Sequence, residues 1–314
     1  MKILVTGSSG FIGYHLVKRL LNDGHQVLGI DNHNDYYGVS LKTLRKNKCL
    51  NKNFKFVFSD INALNIIDDK FDIAINLAAQ AGVRVHRDKE HLYSHSNING
   101  FKSFCNFCKR MNINKIIYAS SSSVYSDSED TKYQEIYTKL KPKSLYGESK
   151  LANEIYASKF SKKNNISFIG LRFFSVYGPY GRPDMAYFSF SNSLINNKPI
   201  YLNNSGEMFR DMTFISDVIE GVLKAINYSF HNNFQHELFN IGNDSPIKTS
   251  KLLSTLEKKL NKKAIIINKS TKNEAIKTHA DITKAKNLLG YLPEVYFEEG
   301  IEQFTQWYKK YENI

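Results

Sequence analysis

The segment that most constrains this chain is its first strand, turn and helix. Lys2-Ile3-Leu4-Val5-Thr6 reads as a short buried strand, and Gly7-Ser8-Ser9-Gly10-Phe11-Ile12-Gly13 follows without a break. Leu16, Val17, Leu20 and Leu21 then recur at helical spacing. Glycines in such a turn let the backbone approach a pyrophosphate, and the free N–H groups of the helix start complete an anion site. A second strand, Gln26 to Ile30, ends in Asp31, placed to accept from the hydroxyls of an adenosine ribose. No arginine follows Asp31 closely, so a 2′-phosphate would meet an anion, which favours NAD over NADP.

Strand-like runs recur at Lys2–Thr6, Gln26–Ile30, Phe54–Phe58, Asp72–Asn76, Lys115–Ser120 and Ser167–Leu171, with helical patterns between most of them. Such alternation means right-handed crossovers and a parallel sheet. The expected fold class is α/β, a Rossmann-like doubly wound parallel sheet with a smaller carboxyl-terminal substrate-binding lobe. Residues 1–172 are read as the NAD-binding domain, with a returning segment near 236–243 around Leu238-Phe239-Asn240-Ile241-Gly242, and residues 173–314 as the lobe. Gly178 to Pro183 reads as a rigid basic loop, and an amphipathic helix around Ile301–Tyr308 ends the chain.

The stretch Ile116-Ile117-Tyr118-Ala119 closes in four serines, Ser120 to Ser123, and Tyr146 and Lys150 follow at helical spacing. In open α/β sheets ligands sit beyond the carboxyl ends of the strands, so these hydroxyls point at whatever is bound. A tyrosine and a lysine at i and i+4 share one helix face, where the ammonium can lower the phenol's pKa. The constellation is that of a hydride-transfer site with Tyr146 as base. Its helix is expected from Ser144 to about Lys162, with Leu151, Ile155 and Phe160 among the buried positions.

Composition excludes several other classes. A hydrophobic share of 42% and a charged share of 23% are those of an ordinary globular chain, not of a disordered or fibrous one. The formal charge of +13 invites a nucleic-acid reading, yet the lysines are scattered, and Lys258-Lys259-Leu260-Asn261-Lys262-Lys263 reads as a solvated helix end. No nucleic acid is expected as a partner; a positive field also suits an anionic nucleotide substrate. No apolar run approaches the roughly 18 residues of a membrane helix, and the first strand at Lys2 leaves no room for a cleavable signal, so the expected location is the cytoplasm. Cys105 and Cys108 lie on the apolar stripe of Ile98, Phe101, Phe104 and Met111 and read as core thiols. His91 and His95 have no convincing third ligand, and no metal is expected.

The chain resembles the extended short-chain dehydrogenase/reductase family from end to end, and within it the UDP-glucuronic acid 4-epimerases. The resemblance is carried by Val5 through Gly13, Asp31 through Tyr37, Leu77 through Arg84, Tyr118 through Tyr125, Tyr146 through Lys150, Leu171 through Pro179, and Gly181 through Ala186. Three segments depart from the pattern. Ser126 replaces a glycine, Phe209 through Asp217 is a worn version of an Arg-Asp-Phe segment, and Asn273-Glu274-Ala275 stands where Pro-Gly-Asp is usual.

The resemblance implies NAD as cofactor, held by Gly7, Gly10, Phe11, Ile12, Gly13, Asp31, Asn32, Asp60, Ile61, Leu77, Ala78, Ala79, Tyr146 and Lys150. It implies catalysis by Tyr146, Lys150 and Ser121, with Ser121 sharing a hydrogen bond with the reacting oxygen. A UDP-hexuronic acid would be epimerised at C4 through a 4-keto intermediate and contacted by Arg84, Ser122, Ser123, Ser175, Arg182 and Arg210. Arg182 reads as the cation near the sugar carboxylate, since its charge has no other obvious anion to serve. A homodimer is expected. The alternatives are 4-epimerisation of a neutral or N-acetylated UDP-sugar, or a non-catalytic nucleotide-binding role.

Overall fold

The computed structural model describes residues 1–83, 89–125, 132–137, 140–270 and 275–314. The large layer begins as expected: β1 (Lys2–Thr6), α1 (Phe11–Asn22), β2 (Gln26–Asp31), α2 (Val39–Asn47), β3 (Phe54–Phe58) and β4 (Ile73–Asn76). A π-helical stretch, Tyr93–Asn99, runs into α3 (Gly100–Arg110), and β5 (Lys115–Ser121), α4 (Leu145–Asn164) and β6 (Ser167–Phe173) follow. The second half contributes β7 (Ser175–Tyr177), α5 (Ala186–Ile195), β8 (Pro199–Asn203), β9 (Phe209–Phe214), α6 (Ile215–His231) and β10 (His236–Ile241). After these come β11 (Pro246–Lys248), α7 (Thr249–Leu260), β12 (Ile265–Lys269), α8 (Thr283–Leu289) and α9 (Phe297–Glu312).

Seven strands form one parallel sheet in the order β10-β6-β5-β4-β1-β2-β3. The order reverses between β1 and β4, and that switch point opens the crevice in which such sheets bind ligands. Buried side chains cover both faces. Leu4, Leu28, Ile30, Phe101, Phe104, Cys105 and Cys108 pack on the side of α3 and α4, while Ile3, Val5, Leu16, Val17, Val218 and Val222 pack under α1 and α6. Strands buried on both faces read as continuous apolar runs, which is why β1 and β5 were visible in the sequence.

The returning strand is β10, whose Phe239 pairs with Leu171 of β6. It does not return alone, because α6 packs on α1 and belongs to the same layer. The rest of the second half builds a three-stranded sheet, β11-β9-β7, and a two-stranded one, β12-β8. These sheets and α5, α7 and α9 stand over the carboxyl ends of the large sheet's strands.

Two expectations need correcting. β5 and β6 each run past their predicted ends, pairing Ser121 with Phe173; a ladder is made by backbone groups, and polar side chains do not stop it. In α4, Ile155 is 49% exposed rather than buried, and Leu151 and Phe160 are only partly covered. The buried face is polar instead, built from Ser149, Lys150, Asn153 and Glu154. Glu154 receives two hydrogen bonds from the Arg172 guanidinium, at 2.8 and 2.7 Å, and a third from the Ser120 hydroxyl at 2.5 Å. Ile155, next to this ion pair in the chain, faces outward.

Cys105 and Cys108 are buried free thiols, and burial pushes both up, as suits inert core residues. His91 and His95 lie at the surface. No described helix is long and apolar enough to cross a membrane.

Candidate active site

A cleft of about 960 Å³ lies beyond the carboxyl ends of β1, β4 and β5. Its amino-terminal end is the glycine turn. Gly7 has φ +70°, and a Cβ there would stand 2.6 Å from the Ala78 nitrogen; a Cβ on Gly13 would stand 2.1 Å from the Gly7 carbonyl oxygen. The backbone is therefore as close to β4 and to itself as only glycine allows. No side chain caps α1, so the first-turn N–H groups remain for an anion. Gly10, Phe11, Ile12, Leu77, Ala78 and Ala79 line this end, and the donor set fits a dinucleotide pyrophosphate.

Asp31, at the end of β2, lines the same cleft and accepts from the backbone N–H groups of Ser9 at 3.1 Å and His33 at 2.8 Å. Asn32 and Ile61 are beside it. Asp60 is not in the lining. It caps the turn at Ile61, accepting from the Asn62 N–H and the Asn32 amide at 2.9 Å each. Burial raises its pKa, but these donors, with His95, outweigh that and hold the carboxyl below its ordinary range. Lys42, unforeseen in the sequence, reaches the cleft near Asp31 and donates to the Asn34 carbonyl at 2.8 Å.

At the other end stand Tyr146 and Lys150 on α4, whose start is capped by Ser144 accepting from the Gly147 N–H at 3.1 Å. The Lys150 ammonium lies 5.7 Å from the Tyr146 ring centre and donates to the Ala119 carbonyl at 2.9 Å. Burial lowers the ammonium's pKa to about 8, against a smaller upward pull from Glu154. The Tyr146 phenol is raised by burial, while Arg182 and a hydrogen bond with Ser121 pull it down. Arg182 thus acts on the phenol from outside α4, a cation that helical spacing alone did not lead us to expect there.

Ser122, Ser123, Ser175, Arg182 and Arg210 all line this end. Arg210 donates to the carbonyls of Phe209 and Ala275 at 2.8 Å each. Arg84, Ser126, Asn273 and Glu274 lie outside the described residues. The expectation that Arg182 has no anion of its own is overturned. Its guanidinium grips Asp184 through Nε at 3.0 Å and Nη2 at 2.5 Å, which more than offsets burial and holds its pKa up. The short Gly-Arg-Pro-Asp segment contains both partners, and only the fold shows that the turn at Pro183 brings them together.

A buried arginine, also absent from the sequence reading, joins the two ends. Arg45 of α2 is fully buried and donates to the carbonyls of Ser9 at 3.2 Å, Tyr180 at 2.7 Å and Gly181 at 2.8 Å, and to the Tyr37 hydroxyl at 2.8 Å. It ties the glycine turn to the loop carrying Arg182.

Fold and site together define a class: a doubly wound α/β protein with a nucleotide-sized cleft at the switch point and a tyrosine, a lysine and serines at one end of it. Residues 3–242 match the model of the NAD dependent epimerase/dehydratase family, and the chain belongs to that family. It is 42% identical to an uncharacterized protein of Methanocaldococcus jannaschii over 98% of this chain and 95% of that one. It is 38% identical to UDP-glucuronate 4-epimerase 3 of Arabidopsis thaliana over 99% of this chain and 77% of the relative. Among solved structures, UDP-glucuronic acid 4-epimerase from Bacillus cereus, in complex with UDP-glucuronic acid and NAD, superposes with a TM-score of 0.91. That pair shares 35% identity, over 99% of this chain and all of the other.

Proposed function

We propose that the protein is an NAD-dependent UDP-glucuronate 4-epimerase, converting UDP-glucuronate and UDP-galacturonate into one another. The observation that carries the reading is the convergence of Tyr146, hydrogen-bonded to Ser121, with Arg182 and three further serines at one end of a cleft whose other end is a glycine turn.

Bound NAD supplies the hydride acceptor, the donor for the return step and a positive charge beside the phenol. Gly7, Gly10, Gly13 and the start of α1 hold its pyrophosphate, and Asp31 holds its adenosine ribose. Tyr146 as phenolate removes the proton of the sugar 4-hydroxyl, with Ser121 sharing that hydrogen bond and relaying the proton. After the 4-keto sugar has turned over, Tyr146 returns the proton to the oxygen on the opposite face. A C4 ketone makes the C5 carboxylate a β-keto acid, which loses CO₂ if the C–CO₂ bond aligns with the carbonyl π system. Ser122, Ser123, Ser175 and Arg182 hold the carboxylate out of that alignment. A homodimer and a cytoplasmic setting complete the reading.

The test is a panel of UDP-glucose, UDP-glucuronate and their N-acetyl analogues, followed by NMR with no added cofactor. UDP-glucuronate should epimerise fastest; a faster neutral or N-acetylated sugar would replace the substrate assignment. Arg182→Ala should bind UDP-glucuronate more weakly, since a charge-assisted hydrogen bond contributes about 1.5–3 kcal/mol. It should also release a UDP-4-keto-pentose, seen by mass spectrometry, that the parent does not make. Equal weakening toward UDP alone would place Arg182 on the pyrophosphate.

Asp31 sets the cofactor. The protein should prefer NAD⁺ to NADP⁺, and Asp31→Ala should narrow the gap, because the carboxylate that repels a 2′-phosphate is gone while the Lys42 ammonium stays near. Equal affinity of the parent for both dinucleotides in calorimetry would refute the role given to Asp31.

A further inference from the structure

The Arg182 guanidinium that the proposed function assigns to the substrate already carries a carboxylate. Asp184 takes both its Nε and Nη2 donors, in the paired geometry that makes arginine selective for carboxylates. The pair is not isolated. The Tyr36 hydroxyl, reaching across the cleft from the loop after β2, donates to Asp184 Oδ2 at 3.2 Å. Tyr36 can reach that far because Gly82 lies beneath its hydroxyl: a Cβ on Gly82 would stand 2.1 Å from the Tyr36 oxygen, and its φ is +89°. The Gly82 carbonyl accepts from the Tyr93 hydroxyl at 2.6 Å, which fixes the seat. Tyr36, Gly82, Arg182, Asp184 and Tyr146 all line one cleft.

We propose that Asp184 is a specificity-determining residue, an internal carboxylate that an acidic sugar displaces from Arg182 and a neutral sugar does not. The proposal rests on the reading of the cleft as a UDP-hexuronate site. It follows from charge and geometry. A second carboxylate approaching the same face of the guanidinium meets the first at close range, so the two exchange. The exchange leaves Arg182 paired with one carboxylate, while Asp184 keeps its own charge nearby. Arg182 therefore keeps its pull on the Tyr146 phenol, on which it and Asp184 act with opposite sign. A neutral sugar offers nothing in return for the Asp184 pair and leaves it closed. Tyr36 holds Asp184 in that closed pair; its own pKa is pushed up to about 12, by burial first and by Asp184 second, so it remains protonated and able to donate.

The experiment is calorimetric titration of UDP-glucuronate, UDP-glucose and UDP into the NAD-loaded parent and into Asp184→Asn, which keeps the shape and removes the charge. The variant should bind UDP-glucuronate about fivefold more tightly, the scale of a partly exposed ion pair, with UDP and UDP-glucose unchanged. The acidic limb of its kcat profile should also move to lower pH, since burial still raises the Tyr146 phenol but the smaller upward pull of Asp184 is gone while Arg182 stays. Unchanged or weaker UDP-glucuronate binding with UDP unchanged would overturn the proposal and make Asp184 a support for Arg182. If Asp184→Asn loses its NAD or its affinity for UDP, Tyr36→Phe decides the matter. It leaves both charges and frees one end of Asp184, so UDP-glucuronate should tighten relative to UDP, and no tightening overturns the proposal. A parent that handles UDP-glucose and UDP-glucuronate alike overturns the functional reading itself, a result visible before any variant is made.

Discussion

Tyr146→Phe is expected to lose epimerisation by about 10²–10⁴-fold, the usual contribution of a general acid–base group, while still purifying with NAD. The substitution removes the one oxygen that exchanges a proton with the sugar and keeps the ring packed 6.3 Å from that of Tyr93. Lys150, the glycine turn and Asp31 are untouched, so cofactor content by absorbance should match the parent. Parent-like turnover would mean that another group takes the proton, and the assignment of Tyr146 would fall. Loss of NAD together with activity would point to a binding role instead.

Glu154→Gln should be the most destabilising of the conservative changes. Glu154 and Arg172 have side chains 5% and 1% exposed, and removing one charge strands the other in the interior. Breaking a buried pair in this way costs about 3–5 kcal/mol, read as a fall in the urea midpoint. The Tyr125 hydroxyl, 2.8 Å from Arg172, offers a dipole and no charge, so it cannot replace the carboxylate. The variant should also be less active at temperatures where it remains folded, because Ser120, one residue before Ser121, donates to the same carboxylate oxygen that Arg172 holds in place. An unchanged midpoint would show that Arg172 relaxes to water, and the pair would then have no structural weight.

The large sheet was readable in the sequence because its strands are buried on both faces and their apolar runs are bounded by glycine or polar turns. β1 and β3 fall on the residues expected, and the glycine turn lies where its spacing put it. What escaped the sequence are interactions between charges far apart in the chain. Ile155 occupies a position that apolar periodicity would bury, yet the buried face of α4 carries Glu154, whose partner Arg172 comes from β6. Helical spacing put Lys150 next to Tyr146 correctly, but no local rule reveals that Arg182 crosses the cleft to act on the same phenol. Arg45 left no signal at all, since a basic residue on a polar helix reads as solvated until a loop some 135 residues away covers it.

Arg45 also determines how the cleft can breathe. Its guanidinium holds backbone carbonyls of both walls at once, and carbonyls cannot rotate away as side chains do without moving the chain. Parting the walls at that point would strip a fully buried cation of its Tyr180 and Gly181 partners, a heavy cost for a buried charge. The two walls are therefore pinned along one margin, and any opening must swing about the pin. Beside the pin, among the described residues, the Tyr36 and Asp184 side chains also join the walls, but through a single long hydrogen bond that water can replace. Separating the walls at Asp184 therefore costs far less than separating them at Arg45.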